Sequence, residues 1–115
     1  MNNAEFNALM DSLKKHLEAE KVFIKNPERF AEVEHATEIA NELFGDMEIS
    51  IKDDPLQMGA LVLCIKGFDL VVRGKREIAL FQELISAADN FEIYSNGNES
   101  ITFSILFNGA LIRLQ

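Results

Sequence analysis

The sequence predicts an α+β fold in two layers: a six-stranded, mostly antiparallel sheet from a duplicated helix-strand-strand-strand unit, plus an extra N-terminal helix. Three observations predict it. Met47-Glu48-Ile49-Ser50 matches Phe91-Glu92-Ile93-Tyr94, each pair of segments following a stretch with helical periodicity. Lys66-Gly67 matches Asn108-Gly109, two tight-turn pairs set between apolar runs. Self-similarity at a fixed spacing marks a repeated structural unit. With 115 residues, 48% of them hydrophobic and 26% charged, the chain suits one domain with a modest core. Within it, 1–25 form the N-terminal helix and a connector, 26–73 the first unit, and 74–115 the second.

The first helix is expected over about residues 3–20, because Phe6, Leu9, Met10, Leu13 and Leu17 repeat at i, i+3, i+4, i+7 and make one apolar stripe. Val22-Phe23-Ile24 reads as a short apolar connector. Asn26-Pro27-Glu28 then starts a second helix: Asn accepts an orphan backbone N–H, Pro presets φ, and Glu suits the positive end of the helix dipole. That helix runs to Phe44 with a stripe of Phe30, Val33, Ala36 or Thr37, Ala40, Leu43 and Phe44, and Gly45 is expected as its left-handed stop.

A two-residue turn at Lys66-Gly67 would set Leu61, Leu63 and Ile65 beside Val72, Leu70 and Phe68 on one apolar face. The third helix covers about Lys75 to Ala88, with Ile78, Phe81, Leu84, Ile85 and Ala88 inward. The Asn108-Gly109 turn aligns Phe103, Ile105 and Phe107 with Leu114, Ile112 and Ala110 in the same way. The reverse face carries Val62, Cys64, Val71, Tyr94, Leu106 and Leu111 among polar residues, more apolar than open solvent demands. The N-terminal helix or a partner subunit is expected to cover it. A homodimer is a candidate assembly, because two-fold dimers are the commonest soluble oligomers.

Net charge −8 argues against nucleic acid as the partner, since phosphate binding needs a clustered basic surface. No apolar run approaches the roughly 18 residues that a membrane span requires. The opening MNNAEFNALMDSL lacks the basic and apolar regions of a signal peptide, so a cytoplasmic location is expected, with no membrane partner. Cys64 is the only cysteine, which rules out an intramolecular disulfide. Between Glu28 and Asp54, nine acids face two bases, a net −7 that holds nearly all of the imbalance.

Three candidate sites follow. Glu28, Glu34, Glu38 and Glu42 form an acidic strip on the second helix, suited to a basic protein partner. Some of its carboxylates stand at i, i+4 from one another, at a cost of roughly 0.2–0.5 kcal/mol per pair. Arg73, Lys75 and Arg76 bracket the start of the third helix and are the candidate for binding a small anion. Val62, Val71, Tyr94, Leu106 and Leu111 are the sheet-face candidate for an interface.

Catalytic chemistry finds little footing. Glu32-x-x-His35 has the spacing of a carboxylate-bridged di-metal ligand pair, but it occurs once, and Leu13 stands where a matching Glu would precede His16. Cys64 sits mid-strand as a small apolar side chain without an evident base. No cofactor, metal or catalytic residue is therefore assigned. Size, charge and element order resemble small acidic secretion chaperones. The expected function is a non-enzymatic protein-protein interaction module, chaperone-, inhibitor- or immunity-like. The alternative is a small-anion binding or regulatory domain centred on the third helix start.

Overall fold

Asn2 opens the first element by accepting the Glu5 backbone N–H on its side chain (2.8 Å), and helix α1 runs from Asn3 to Ala19. The structure is a computed structural model of the chain and describes residues 2–67, 72–95 and 100–113. Phe6, Met10, Leu13 and Leu17 are the buried face of α1, as the helical spacing requires. Lys21 then turns the chain with φ +58°, and Val22–Ile24 is a strand, β1, rather than the expected connector.

Helix α2 spans Pro27–Phe44, and the Asn26 side chain accepts the Arg29 N–H (3.1 Å) as anticipated. Phe30, Val33, Ala36, Thr37, Ile39, Ala40 and Phe44 are buried. The buried Thr37 hydroxyl donates to the Val33 carbonyl (2.8 Å), which satisfies it without leaving the helix. Gly45 does not supply a left-handed stop. Its φ of −64° and ψ of −17° keep a right-handed turn, and Met47 N–H bonds the Phe44 carbonyl (2.9 Å).

The remaining elements are β2 (Glu48–Asp53), β3 (Leu61–Lys66), α3 (Lys75–Ala87), β4 (Asn90–Ser95), β5 (Ile101–Phe107) and β6 (Leu111–Arg113). The α+β class holds, but the single six-stranded sheet does not: four strands pair antiparallel in the order β2-β3-β5-β4, and β1 and β6 form a separate two-stranded ribbon.

Both expected hairpins are overturned, for one reason. A strand has two edges, and β3 gives one to β2 (Ile49 opposite Ile65) and the other to β5 (Ile65 opposite Phe103). β3 has no free edge left for Val72, the expected partner of Leu61. Val72 and Arg73 are not in a strand, and Phe68, Leu70 and Val71 lie outside the described residues. Likewise β5 is flanked by β3 and β4, so Phe103, Ile105 and Phe107 do not align with Ala110 and Ile112; Leu114 lies outside the described residues. Asn108-Gly109 does turn the chain, with Gly109 at φ +84°, but it delivers β6 to β1, where Ile112 faces Phe23.

Arg29 holds that redirection in place. Its Nε donates to the Asn108 carbonyl (2.9 Å), one terminal nitrogen to the Ala87 carbonyl (2.8 Å), and the other to Asp89 (2.5 Å). Asp89 in turn accepts the Asn108 N–H (2.7 Å), and the guanidinium lies 5.6 Å from the Phe107 ring centroid. The planar fork suits this task, since its donors satisfy carbonyls at a helix end and a turn at once. One side chain thereby joins the start of α2, the end of α3 and the β5–β6 turn.

The side-chain parity was correct even where the neighbours were not. Ile49, Ile51, Leu61, Leu63, Ile65, Phe103, Ile105 and Phe107 are all buried on one sheet face. Each fully buried side chain of this kind contributes roughly 1.5–3 kcal/mol. α3 meets them through Phe81, whose ring lies 6.3 Å from those of both Phe44 and Phe103. Of the predicted α3 stripe, Leu84 alone is fully buried, and Ile78 is exposed.

α1 is the further correction. Its stripe joins the same core cluster as α2 and the strands, so it does not cover the reverse face of the sheet. That face consists of cross-strand rows: Lys52, Val62, Leu106 and Asn90; then Ser50, Cys64, Ser104 and Glu92; then Glu48, Lys66, Thr102 and Tyr94. It is mostly polar, as one face of an antiparallel sheet in water normally is.

Candidate interaction surfaces

The acidic strip is less bare than its sequence suggests. Glu34 meets Lys14 of α1 (4.0 Å), Glu38 meets His35 (4.0 Å), and Glu42 pairs with Arg76 of α3. Glu28, in the first turn of α2, makes no ion pair among the described residues. The cations facing Glu34 and Glu42 come from other elements, which is why counting charges along residues 28–54 overstates the local imbalance. Beside the strip, Asn3, Phe6, Asn7, Glu38, Asn41 and Glu42 line a groove of about 580 Å³ between α1 and α2. Asn41 Oδ1 is buried without a hydrogen-bond partner, and no other described side-chain nitrogen or oxygen is so placed.

At the start of α3, the three cations do not act together. Arg76 reaches across to Glu42, while the Glu77 carboxylate accepts the Arg73 backbone N–H (3.1 Å). α3 has no side-chain cap, but this carboxylate already places negative charge at its first turn. Arg73 and Lys75 remain as exposed side chains nearby.

The sheet-face candidates separate. Val62 and Leu106 are cross-strand neighbours, both half-buried, and Tyr94 lies two rows away, opposite Thr102. Leu111 is not on this face: it belongs to the β1–β6 ribbon and is buried in the core, because β6 never joins the main sheet. Val71 lies outside the described residues.

No assembly of nucleophile, base and pocket is visible among the described residues. The Cys64 sulfur is 4.0 Å from the Ser104 hydroxyl, and both histidines contact carboxylates elsewhere. His35 Nε2 is 2.7 Å from Glu83, a link between α2 and α3, and Glu32 pairs with Arg29 (3.2 Å). His16 contacts Asp53 (3.3 Å), which Arg113 also approaches (3.5 Å). That cluster borders a cavity of 50 Å³ edged by Met58, Gly59 and Leu111, room for a few water molecules at most. No three His, Cys, Asp or Glu side chains among the described residues converge to hold a metal ion.

The surface that sequence reasoning missed is on β4 and the start of β5, and Ile78 of α3 is exposed as well. Ile78 is 46% exposed, Phe91 48%, Ile93 53% and Ile101 42%. Ile78 was expected to be buried, and the alternation Phe91-x-Ile93 marked only a strand with one apolar face. Phe91, Ile93 and Ile101 are on the core face of the sheet, Ile93 beside Phe103 and Phe91 edge-on to it with ring centroids 5.8 Å apart. The available signal was that the N-terminal helix has no counterpart in the second half. Compared with protein-family models, with curated proteins and with solved structures, the chain matches none.

Proposed function

We propose that this protein works as a non-enzymatic interaction module, holding another protein rather than transforming a substrate. The exposed apolar corner formed by Phe91, Ile93 and Ile101 carries the reading. Contiguous apolar residues left in water are a standing cost that a partner relieves, and patches of this kind mark protein interfaces. The cytoplasm is the location this reading assumes.

A second surface has its own support. The groove between α1 and α2 presents Glu38 and Glu42 together with the unpartnered Asn41 Oδ1, all acceptors. A lysine or arginine side chain from a basic partner supplies the donor that Asn41 Oδ1 lacks and adds to those already beside Glu38 and Glu42, and the surrounding acidic strip would speed its approach. Anion binding at Arg73, Lys75 and Arg76 is the weaker reading, because Glu42 and Glu77 already engage two of the groups that would form the site.

A photo-crosslinking amino acid placed at Phe91, at Glu38 or at Val62 tests these surfaces in cells. Protein adducts from Phe91 support the apolar corner, and adducts from Glu38 support the groove. If none of the three positions yields an adduct with any protein, the interaction reading is wrong.

A further inference from the structure

We infer that the occupant of the apolar corner is a second copy of this chain, joined edge to edge through β4 about a two-fold axis at Ile93. The inference rests on the corner being a protein-binding surface and names the partner. Two four-stranded sheets would then continue as one.

The first support is the edge itself. β4 closes the strand order on one side, all six of its residues are exposed, and no strand among the described residues pairs with its outer edge. Natural edge strands are guarded by lysine, proline or inward charge. Asn90-Phe91-Glu92-Ile93-Tyr94-Ser95 has none of these, and Glu92 is its one charged residue.

The backbone points the right way. Asp54 N–H bonds the Ala60 carbonyl, so the even-numbered residues of β2 and β3 bond each other, the odd-numbered residues of β3 bond β5, and the even-numbered residues of β5 bond β4. Asn90, Glu92 and Tyr94 therefore direct their N–H groups to β5, while Phe91, whose N–H is accepted by the Asn90 side chain (2.9 Å), and Ile93 direct theirs outward. An Ile93 pair across the two-fold axis exchanges two N–H···O bonds, and its side chains fall on the same face, beside the rest of the apolar corner.

The register is selected by charge. Opposed residues in an antiparallel pair share a face, so the axis must pass through a residue rather than between two. Centring on Ile93 sets Glu92 opposite Tyr94 of the copy, whereas centring on Glu92 would oppose two carboxylates. β4 carries Glu92 as its one charged side chain, so this register leaves no pair of like charges opposed across the axis.

Sedimentation at low and high concentration, with disulfide trapping, tests the proposal on the full chain. The apparent mass should rise from 13.0 kDa to twice that value. Ile93→Pro removes an outward N–H that β5 does not use, so it should hold the chain at single mass with its far-UV spectrum unchanged. If the proline perturbs folding, Ile93→Lys makes the same test through charge. With Cys64→Ser removing the native thiol, oxidised Ile93→Cys should run as a covalent dimer, because hydrogen-bonded pairs stand about 5.5 Å apart at Cα, within disulfide reach. Glu92→Cys, offset from its own copy, should not.

Three results overturn the inference: a single-chain mass at every concentration, a dimer that both Ile93→Pro and Ile93→Lys leave intact, or equal trapping from Glu92→Cys. A chain that stays monomeric yet crosslinks to a different protein through Phe91 would sink the self-association while leaving the interaction reading standing.

Discussion

β2 and β4 are the two outer strands of one sheet, and they are finished differently. Ile49 and Ile51 of β2 are 8% and 7% exposed, while Phe91 and Ile93 of β4, on the same sheet face, are about half exposed. The residue types are alike. The difference is α1, which lays Phe6, Met10, Leu13 and Leu17 into the core on the β2 side and has no equivalent on the β4 side among the described residues. Burial of an edge strand is thus decided by what packs over it, not by its own hydrophobicity.

The comparison breaks most severely if its cover is damaged. Leu13→Ala empties a buried position on α1 and should cost about 2–5 kcal/mol in urea unfolding, the range for large-to-small core changes. A loss below about 1 kcal/mol would mean that α1 is not the lid that β2 requires. The matched pair of strand substitutions sharpens the contrast. Ile51→Ala should cost about 2–4 kcal/mol, whereas Ile93→Ala, measured under dilute conditions, should cost under about 1 kcal/mol. Equal costs would erase the distinction between the edges.

Gly59 probes how firmly the covered side is closed. It sits at φ +87°, a Cβ there would lie 2.8 Å from the Leu111 carbonyl oxygen, and its own carbonyl accepts the Leu111 N–H (3.1 Å). Gly59→Ala combines a left-handed alanine with a clash against backbone and should cost about 1–3 kcal/mol. A melting temperature equal to that of the unmodified protein would show that the 54–60 loop is not seated on β6. The smallest effect belongs to the surface link between α2 and α3: Glu42→Gln breaks the exposed pair with Arg76 and should change stability by less than about 0.5 kcal/mol. A larger loss would mean the two helices depend on that link to stay together.

Much of the core was legible because side-chain alternation survives an error in pairing. Leu61, Leu63 and Ile65 face inward whether β3 pairs forward or backward along the chain, so the apolar row was identified while its neighbours were not. Lys66-Gly67 and Asn108-Gly109 are genuine local turn signals, but local signals do not count edges. Once β3 lies between β2 and β5, the nearer partner is excluded. The surfaces divide in the same way. Glu34 and Glu42 could be placed on a helix face from their spacing, yet their partners Lys14 and Arg76 are far away in sequence. The helical stripe identified the inward face of α3 but not how far that face is roofed, and Ile78 lies where the roof ends.

The β1–β6 ribbon has a consequence for synthesis. Val22 pairs with Arg113 and Ile24 with Leu111, so a segment made early waits for one made much later. Lys25 and Asn26, which follow β1, both bond the Ala110 carbonyl (2.8 and 3.2 Å). While the intervening residues are still in the ribosomal tunnel, the junction between α1 and α2 has no strand to hold it. The nascent chain can collapse its helices earlier, but this junction locks only after residue 113 has left the tunnel, and its exposure to proteases and chaperones lasts at least until then.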